Sequence, residues 1–212
     1  MLGVGEIGTF KIARDTTMTR TKRFYLALLA CAIASPASAA IITYEASLSG
    51  GAESPPVTSA GTGWARVTID DVFNTMRVEA VFSGLTGVTT VAHIHCCTAV
   101  SGAGTAGVAT PTPTFPGFPI GVSSGSYDQT FDMMLSTSFN PSFLSFNGGS
   151  AASAFSALRL GLDDGRAYFN IHSTYAPGGE IRGFLAQVPE PATLALLAFG
   201  LAGLGLSRRK AA

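Results

Sequence analysis

Apolar and polar residues alternate along the middle of the chain in a way that predicts β-strands. Between residues 42 and 82, apolar side chains recur at every second position in three runs, which is the period of a half-buried strand. The runs cover residues 42–48, 63–70 and 76–82. The polar turn sequence of residues 70–74 separates the last two runs, so we expect those two strands to pair as a hairpin.

Further runs predict strands over residues 88–95, 127–135, 166–173 and 180–186, and apolar residues at helical spacing predict one short helix over 149–162. Short strands at this spacing favour an all-β fold. We expect an immunoglobulin-like or Greek-key antiparallel β-sandwich that carries one short helix.

The segment from residue 98 to residue 126 is rich in Gly, Ala, Thr and Pro, and its prolines prevent a regular hydrogen-bonded ladder. We expect a long surface loop here. Phe115 and Phe118 are expected to pin the loop to the body of the domain, because aromatic side chains gain stability by covering apolar surface.

The N-terminal end has the pattern of a secretory signal peptide. A basic segment at residues 20–23 precedes an apolar segment at 24–33 and a small-residue site at 37–39, which predicts cleavage before Ala40. Met18 would begin a signal peptide of ordinary length. Residues 28–31, Leu-Leu-Ala-Cys, are an alternative lipoprotein cleavage box, although the apolar run before them is very short.

The C-terminal end combines a rigid break, an apolar run and a basic stop. The three parts are Pro189, Glu190 and Pro191, then the run of residues 192–206, then Arg208, Arg209 and Lys210. Residues 188–210 resemble the PEP-CTERM sorting signal of Gram-negative bacteria. That resemblance implies export, a transient transmembrane helix in the inner membrane, processing by an exosortase, and a final place at the cell surface or in the extracellular matrix.

An ordinary transmembrane anchor is the alternative interpretation of this end. The apolar run has about fifteen residues, which is shorter than the roughly 20 residues that a stable span needs, and its three glycines weaken it as a helix. These features favour a temporary anchor. The chain is therefore expected to divide into an N-terminal signal region at 1–39, a β-sandwich domain at 40–187 and a sorting region at 188–212.

The formal charge of zero hides an acidic exported domain. Between residues 40 and 188 there are five arginines, no lysine and ten acidic residues, so the difference of 5 and 10 gives a net charge of −5. A nucleic-acid partner is not expected, because such a partner requires a basic patch. Schiff-base chemistry is excluded for this region because it requires a lysine.

Five segments of the domain carry a family resemblance. They are residues 48–57, residues 61–63, the sequence Ala-His-Ile-His at 92–95, and residues 168–173 and 178–183. In this order they resemble the CHRD domain over about residues 42–186. The resemblance implies a secreted, non-catalytic, β-rich module, of a kind associated with biofilm-forming bacteria that produce exopolysaccharide.

The three histidines of the chain are the strongest candidates for site chemistry. His93 and His95 are two residues apart in a predicted strand, so their side chains share a face, and His172 lies in another predicted strand. If these strands are neighbours, three imidazoles converge in an arrangement that suits zinc or copper. In the alternative interpretation, the histidines only form hydrogen bonds with loop carbonyls and acidic side chains.

Five further residues complete the candidate chemistry. Glu53, Glu180 and Arg182 could complete or neutralise a metal site, but an ion pair that ties the first strand to the last is the preferred interpretation. Cys96 and Cys97 are adjacent, and in an oxidising compartment they form a vicinal disulfide, remain free thiols or act as metal ligands beside His95. The vicinal disulfide is favoured.

No sequence motif predicts an enzyme. The chain has no Gly-x-Ser-x-Gly nucleophile motif, and its paired acids lie in predicted turns where solvated carboxylates are usual. We therefore predict an exported, non-catalytic structural or binding protein of the cell surface or matrix, with matrix polysaccharide as one expected partner. The alternative is an extracellular zinc- or copper-binding protein, with a redox-protective role, that uses His93, His95 and His172.

Overall fold

The structure is a computed structural model that describes residues 41–189 and residue 199. The predicted signal peptide, Glu190, Pro191, the predicted transmembrane helix and the basic tail at 208–210 lie outside the described residues. Within the described part of the chain, no helix is long and apolar enough to cross a membrane.

The described residues form eight strands and two α-helices. The strands are β1 Ile41–Ser49, β2 Thr62–Asp70, β3 Thr75–Ser83, β4 Thr89–His95, β5 Gly125–Asp132, β6 Tyr168–Ser173, β7 Ile181–Phe184 and β8 Ala186–Gln187. The helices are α1 Pro141–Phe146 and α2 Ala151–Asp163, and short 3-10 turns occupy Gly50–Ala52 and Ser136–Ser138.

All strand pairs are antiparallel and belong to one sheet with the order β4-β6-β7-β1-β2-β3-β5, while β8 pairs with β1. The predicted hairpin is present as β2 and β3. Its turn is built by Asp70, whose Oδ1 accepts hydrogen bonds from the backbone N–H groups of Val72 and Phe73, both at 3.0 Å. Asn74 then adopts a positive φ of 52°.

The sheet curls around an aromatic core. Phe115, in the long loop, is fully buried, and its ring centroid lies 5.5 Å from that of Phe131 on β5 and 5.9 Å from that of Phe169 on β6. These strands lie near opposite ends of the sheet order, so the loop fills the space that the curl encloses. Phe118 is also buried and stacks on Phe82 at 5.7 Å.

The all-β class is therefore confirmed, whereas the immunoglobulin-like or Greek-key topology stays a prediction. The count of one helix was wrong, because α1 precedes the predicted helix. Asn140 caps α1 by accepting a hydrogen bond from the Ser142 N–H at 3.0 Å, and Pro141 occupies the first turn. Six residues are too few to show a helical period in the sequence, so only the Asn-Pro pair signals this helix.

Most strands differ from their predicted limits by one or two residues, and two strands differ more. The strand expected at 127–135 begins at Gly125 and ends at Asp132. The strand expected at 180–186 is divided into β7 and β8, because the Leu185 N–H leaves the ladder to donate to the Ala167 carbonyl at 3.0 Å.

Candidate metal centre

Neighbouring strands β4 and β6 bring the three histidines together. In the antiparallel register, His93 lies opposite Asn170, His95 opposite Tyr168, and His172 opposite Val91. The intervening residues of the two strands are fully buried apolar side chains of the core: Ala92, Ile94, Phe169 and Ile171. The histidines therefore project from the face of the sheet that points away from the core.

The three imidazole rings form a compact triangle. Ring centroids are separated by 5.8 Å between His93 and His95, by 5.5 Å between His93 and His172, and by 5.9 Å between His95 and His172. One nitrogen of each ring lies within 4.8 Å of the corresponding nitrogens of the other two. All three side chains are buried.

Each histidine uses its other nitrogen to bind a loop carbonyl. The pairs are His93 Nε2 with Pro113 O at 2.6 Å, His95 Nδ1 with Ala106 O at 2.9 Å, and His172 Nδ1 with Pro177 O at 2.8 Å. A carbonyl oxygen can only accept a hydrogen bond, so these nitrogens carry the proton. The lone pairs of a neutral ring therefore reside on His93 Nδ1, His95 Nε2 and His172 Nε2, which are buried and have no hydrogen-bond partner.

Burial keeps the three rings neutral. Removal from water lowers the pKa of His95 to about 4, and the hydrogen bond to Ala106 opposes this shift only partly. Burial likewise lowers the pKa of His93 and of His172, against the opposing effect of the bonds to Pro113 and Pro177. At neutral pH each ring thus presents an unprotonated nitrogen, which is the form that binds a metal ion.

An aromatic and a cationic side chain stand behind the triangle. The Tyr168 ring stacks on His95 with a centroid distance of 4.8 Å and an interplanar angle of 2°. The Arg182 guanidinium carbon lies 4.7 Å from the centroid of the same tyrosine ring. This stack fixes the orientation of the His95 ring.

The guanidinium that packs on the Tyr168 ring also lies close to a buried acid. Arg182 Nε donates to the Ala52 carbonyl at 2.5 Å and lies 3.7 Å from Glu53 Oε2. The predicted ion pair between Glu53 and Arg182 is thus present, and both side chains are about 95 % buried, with exposed fractions of 5 % and 4 %. Burial raises the pKa of Glu53 to about 7, while the charge of Arg182 acts in the opposite direction.

Comparison with known families identifies the region that carries these residues. The model of the CHRD domain matches residues 44–185, which is more than half of the chain. The chain belongs to the CHRD domain family. A second model, the PEP-CTERM protein-sorting motif, matches residues 187–210 and marks the protein for export and exosortase-mediated sorting to the cell surface. No curated protein and no solved structure matches the chain significantly.

Glu180 of the CHRD domain has a separate, structural position. Its buried carboxylate accepts hydrogen bonds from four groups: Ser59 Oγ at 2.6 Å, the N–H groups of Thr86 at 2.6 Å and Gly87 at 3.1 Å, and Ser173 Oγ. Burial raises the pKa of Glu180, but the hydrogen bonds outweigh it and lower the pKa overall. The carboxylate ties three loops together.

Cys96 and Cys97 of the CHRD domain are joined in a vicinal disulfide. Both sulfurs pack against α2 at Gly161, where an added Cβ would overlap them. A glycine at this position therefore lets the helix approach the disulfide. With the sulfurs bonded to each other, neither cysteine offers a thiolate to the histidine triangle.

Several groups of this site carried no usable sequence signal. The carbonyls of Ala106, Pro113 and Pro177 come from irregular segments, and any residue type can supply a carbonyl oxygen. Asn170 has the phase of His172 on β6, and its Oδ1 is buried without a partner. Only this phase relation could have indicated that Asn170 lies beside the histidines.

Proposed function

We propose that the CHRD domain of this exported protein holds one transition-metal ion through His93 Nδ1, His95 Nε2 and His172 Nε2. Two observations carry the proposal. Each of the three histidines has one buried ring nitrogen without a hydrogen-bond partner, and each places one ring nitrogen within 4.8 Å of a nitrogen of the other two. A buried polar atom without a partner costs free energy, so three such atoms in one histidine cluster favour a ligand between them.

The size of the triangle fits a metal after a small contraction. Nitrogens separated by 4.8 Å must each move by at most about 0.8 Å to reach the roughly 2.0 Å bond length of a metal-bound imidazole. The carbonyl partners hold the second nitrogen of each ring and so select the coordinating tautomer, as outer hydrogen bonds do in established metal sites. Imidazole nitrogens suit both zinc and copper.

A scaffold role at the cell surface or in the matrix is the second candidate function. One observation favours it: the same histidines tie three loop carbonyls to the sheet, so they also contribute to the fold. In this role the protein is a non-catalytic component of the envelope or matrix. The acidic exported region makes polysaccharide or protein partners more compatible than nucleic acid.

Metal analysis of the purified full-length protein tests the two candidates. The metal function predicts one zinc or copper ion per chain and a rise in thermal stability when micromolar metal is added, since ligands that bind only the native state stabilise it. The scaffold function predicts neither. His95→Asn removes the coordinating Nε2 yet places an amide N–H near the position of Nδ1, where it can donate to the Ala106 carbonyl, so it should abolish binding with little change in fold.

Ser138→Ala is a matched control for that variant. Ser138 is another buried polar side chain, and its hydroxyl donates to the Asp132 carbonyl at 2.6 Å. This variant should lose stability and keep full metal stoichiometry. Equal metal loss in both variants would indicate that binding depends on general stability and not on the histidines.

A further inference from the structure

We infer that the three-histidine site prefers Cu(I) to Zn(II). This inference rests on the proposed metal function and concerns which ion the same residues hold. It follows from the charges, the number of ligands and the burial of the site.

The ligands themselves supply no negative charge. All three are neutral imidazoles, so a bound ion keeps its full charge in a buried position. The cost of burying an ion rises with the square of its charge, so a divalent ion pays roughly four times the penalty of a monovalent one. A neutral ligand set therefore discriminates against Zn(II) unless a nearby anion offsets the charge.

The charged groups around the site do not provide that anion. The Arg182 guanidinium lies over the Tyr168 ring, and this ring stacks on His95. A positive charge is therefore separated from the ligand His95 by a single aromatic ring. Glu53 lies 3.7 Å from this arginine, so any negative charge on it is already offset by the guanidinium. Glu180 is already bound by four donors from Ser59, Ser173, Thr86 and Gly87. The local balance favours the ion of lower charge.

The number of ligands points in the same direction. In protein sites Zn(II) is almost always four-coordinate, with a fourth protein ligand or a water molecule. Cu(I) has no such requirement and is stable with three nitrogen ligands. Among the described residues, the His/Cys/Asp/Glu group at this position contains only His93, His95 and His172. The disulfide between Cys96 and Cys97 removes the neighbouring sulfurs as a fourth ligand.

Competition titrations of the full-length protein test this preference. Cu(I) affinity is measured without oxygen, in ascorbate, against a chromophoric Cu(I) chelator, and Zn(II) affinity against a chromophoric zinc chelator. We expect one Cu(I) per chain with a Kd at least about 100-fold below that for Zn(II). His95→Asn should weaken Cu(I) binding by more than about 100-fold, because one of three ligands is lost.

A double variant, Cys96→Ser with Cys97→Ser, separates histidine from sulfur binding. It should keep Cu(I) binding, and X-ray absorption of the copper complex should show nitrogen ligands only. Zinc binding that equals or exceeds Cu(I) binding would overturn the Cu(I) preference and leave the three-histidine site intact. Loss of Cu(I) in the double variant would also overturn it. Failure of both ions to bind would overturn the proposed metal function itself.

Discussion

Replacement of Glu53 by Gln should make the protein more stable above pH 7. Glu53 is buried beside Arg182, and its pKa is raised from the ordinary value of 4.5 to about 7. Between pH 4.5 and about pH 7, the folded state therefore keeps a proton on Glu53 that the unfolded chain has released. The contribution of Glu53 to the free energy of unfolding is therefore largest below pH 4.5 and is lost as the pH rises through 7. The reason is that ionisation of the buried acid is more costly in the folded state than in the unfolded chain.

The size of this effect follows from the two pKa values. A pKa that rises from 4.5 to about 7 corresponds to about 3 kcal/mol of unfolding free energy. Glutamine is neutral at every pH and keeps the shape of the protonated acid. The Glu53→Gln variant should therefore not show this fall in unfolding free energy as the pH rises.

Urea unfolding of both proteins at several pH values between 4 and 8 measures the difference. The unfolding free energy of wild type is subtracted from that of the variant at each pH. This step is needed because burial lowers the pKa values of His93, His95 and His172, so both proteins lose stability as the pH falls below 6.5. Glu45→Gln, on a half-exposed acid that pairs with Arg66, is the control and should stay within about 0.5 kcal/mol of wild type. If the difference in unfolding free energy between Glu53→Gln and wild type is constant with pH, or if the variant becomes less stable than wild type above pH 7, the raised pKa of Glu53 is contradicted.

Three further predictions concern the disulfide, the buried carboxylate and processing. Gly161→Ala should destabilise the domain by about 1–3 kcal/mol in thermal unfolding, because the new Cβ overlaps the disulfide sulfurs; an unchanged Tm would contradict that packing. Glu180→Ala should cost at least about 3 kcal/mol, since it leaves the buried Ser173 hydroxyl and three partly buried donors without their acceptor, and a loss below 1 kcal/mol would show that water replaces the carboxylate. Mass spectrometry of the secreted form should find a chain that begins at Ala40 and ends near Pro189 to Pro191, and an intact C-terminus containing Arg208 would contradict exosortase processing.

The sequence predicted the parts of the site that depend on local periodicity. The spacing of His93 and His95 predicts a common face in any strand, and the phase of His172 relative to Phe169 and Ile171 predicts which side faces the core. Whether His172 meets the other two depends on the pairing of β4 with β6. These strands are far apart in the sequence, and β5 and both helices lie between them. Local pattern carries no information about such a long-range pairing.

The remaining features arise from irregular segments. The tautomers of the three rings are set by loop carbonyls, which have no residue signature. The candidate ion pair between Glu53 and Arg182 was recognised in the sequence, but the raised pKa of Glu53 depends on its burial. Glu180, considered with them, is instead held by hydroxyl and backbone donors from distant loops.

The most direct test of a metal centre in this CHRD domain is the metal content of the purified full-length protein after incubation with equimolar copper or zinc and removal of unbound ions. A three-histidine metal centre predicts one ion per chain for wild type and none for His95→Asn, with Ser138→Ala retaining the wild-type value. A wild-type protein that retains neither metal at micromolar concentration would contradict the presence of a metal centre. The three histidines would then serve only to bind loop carbonyls.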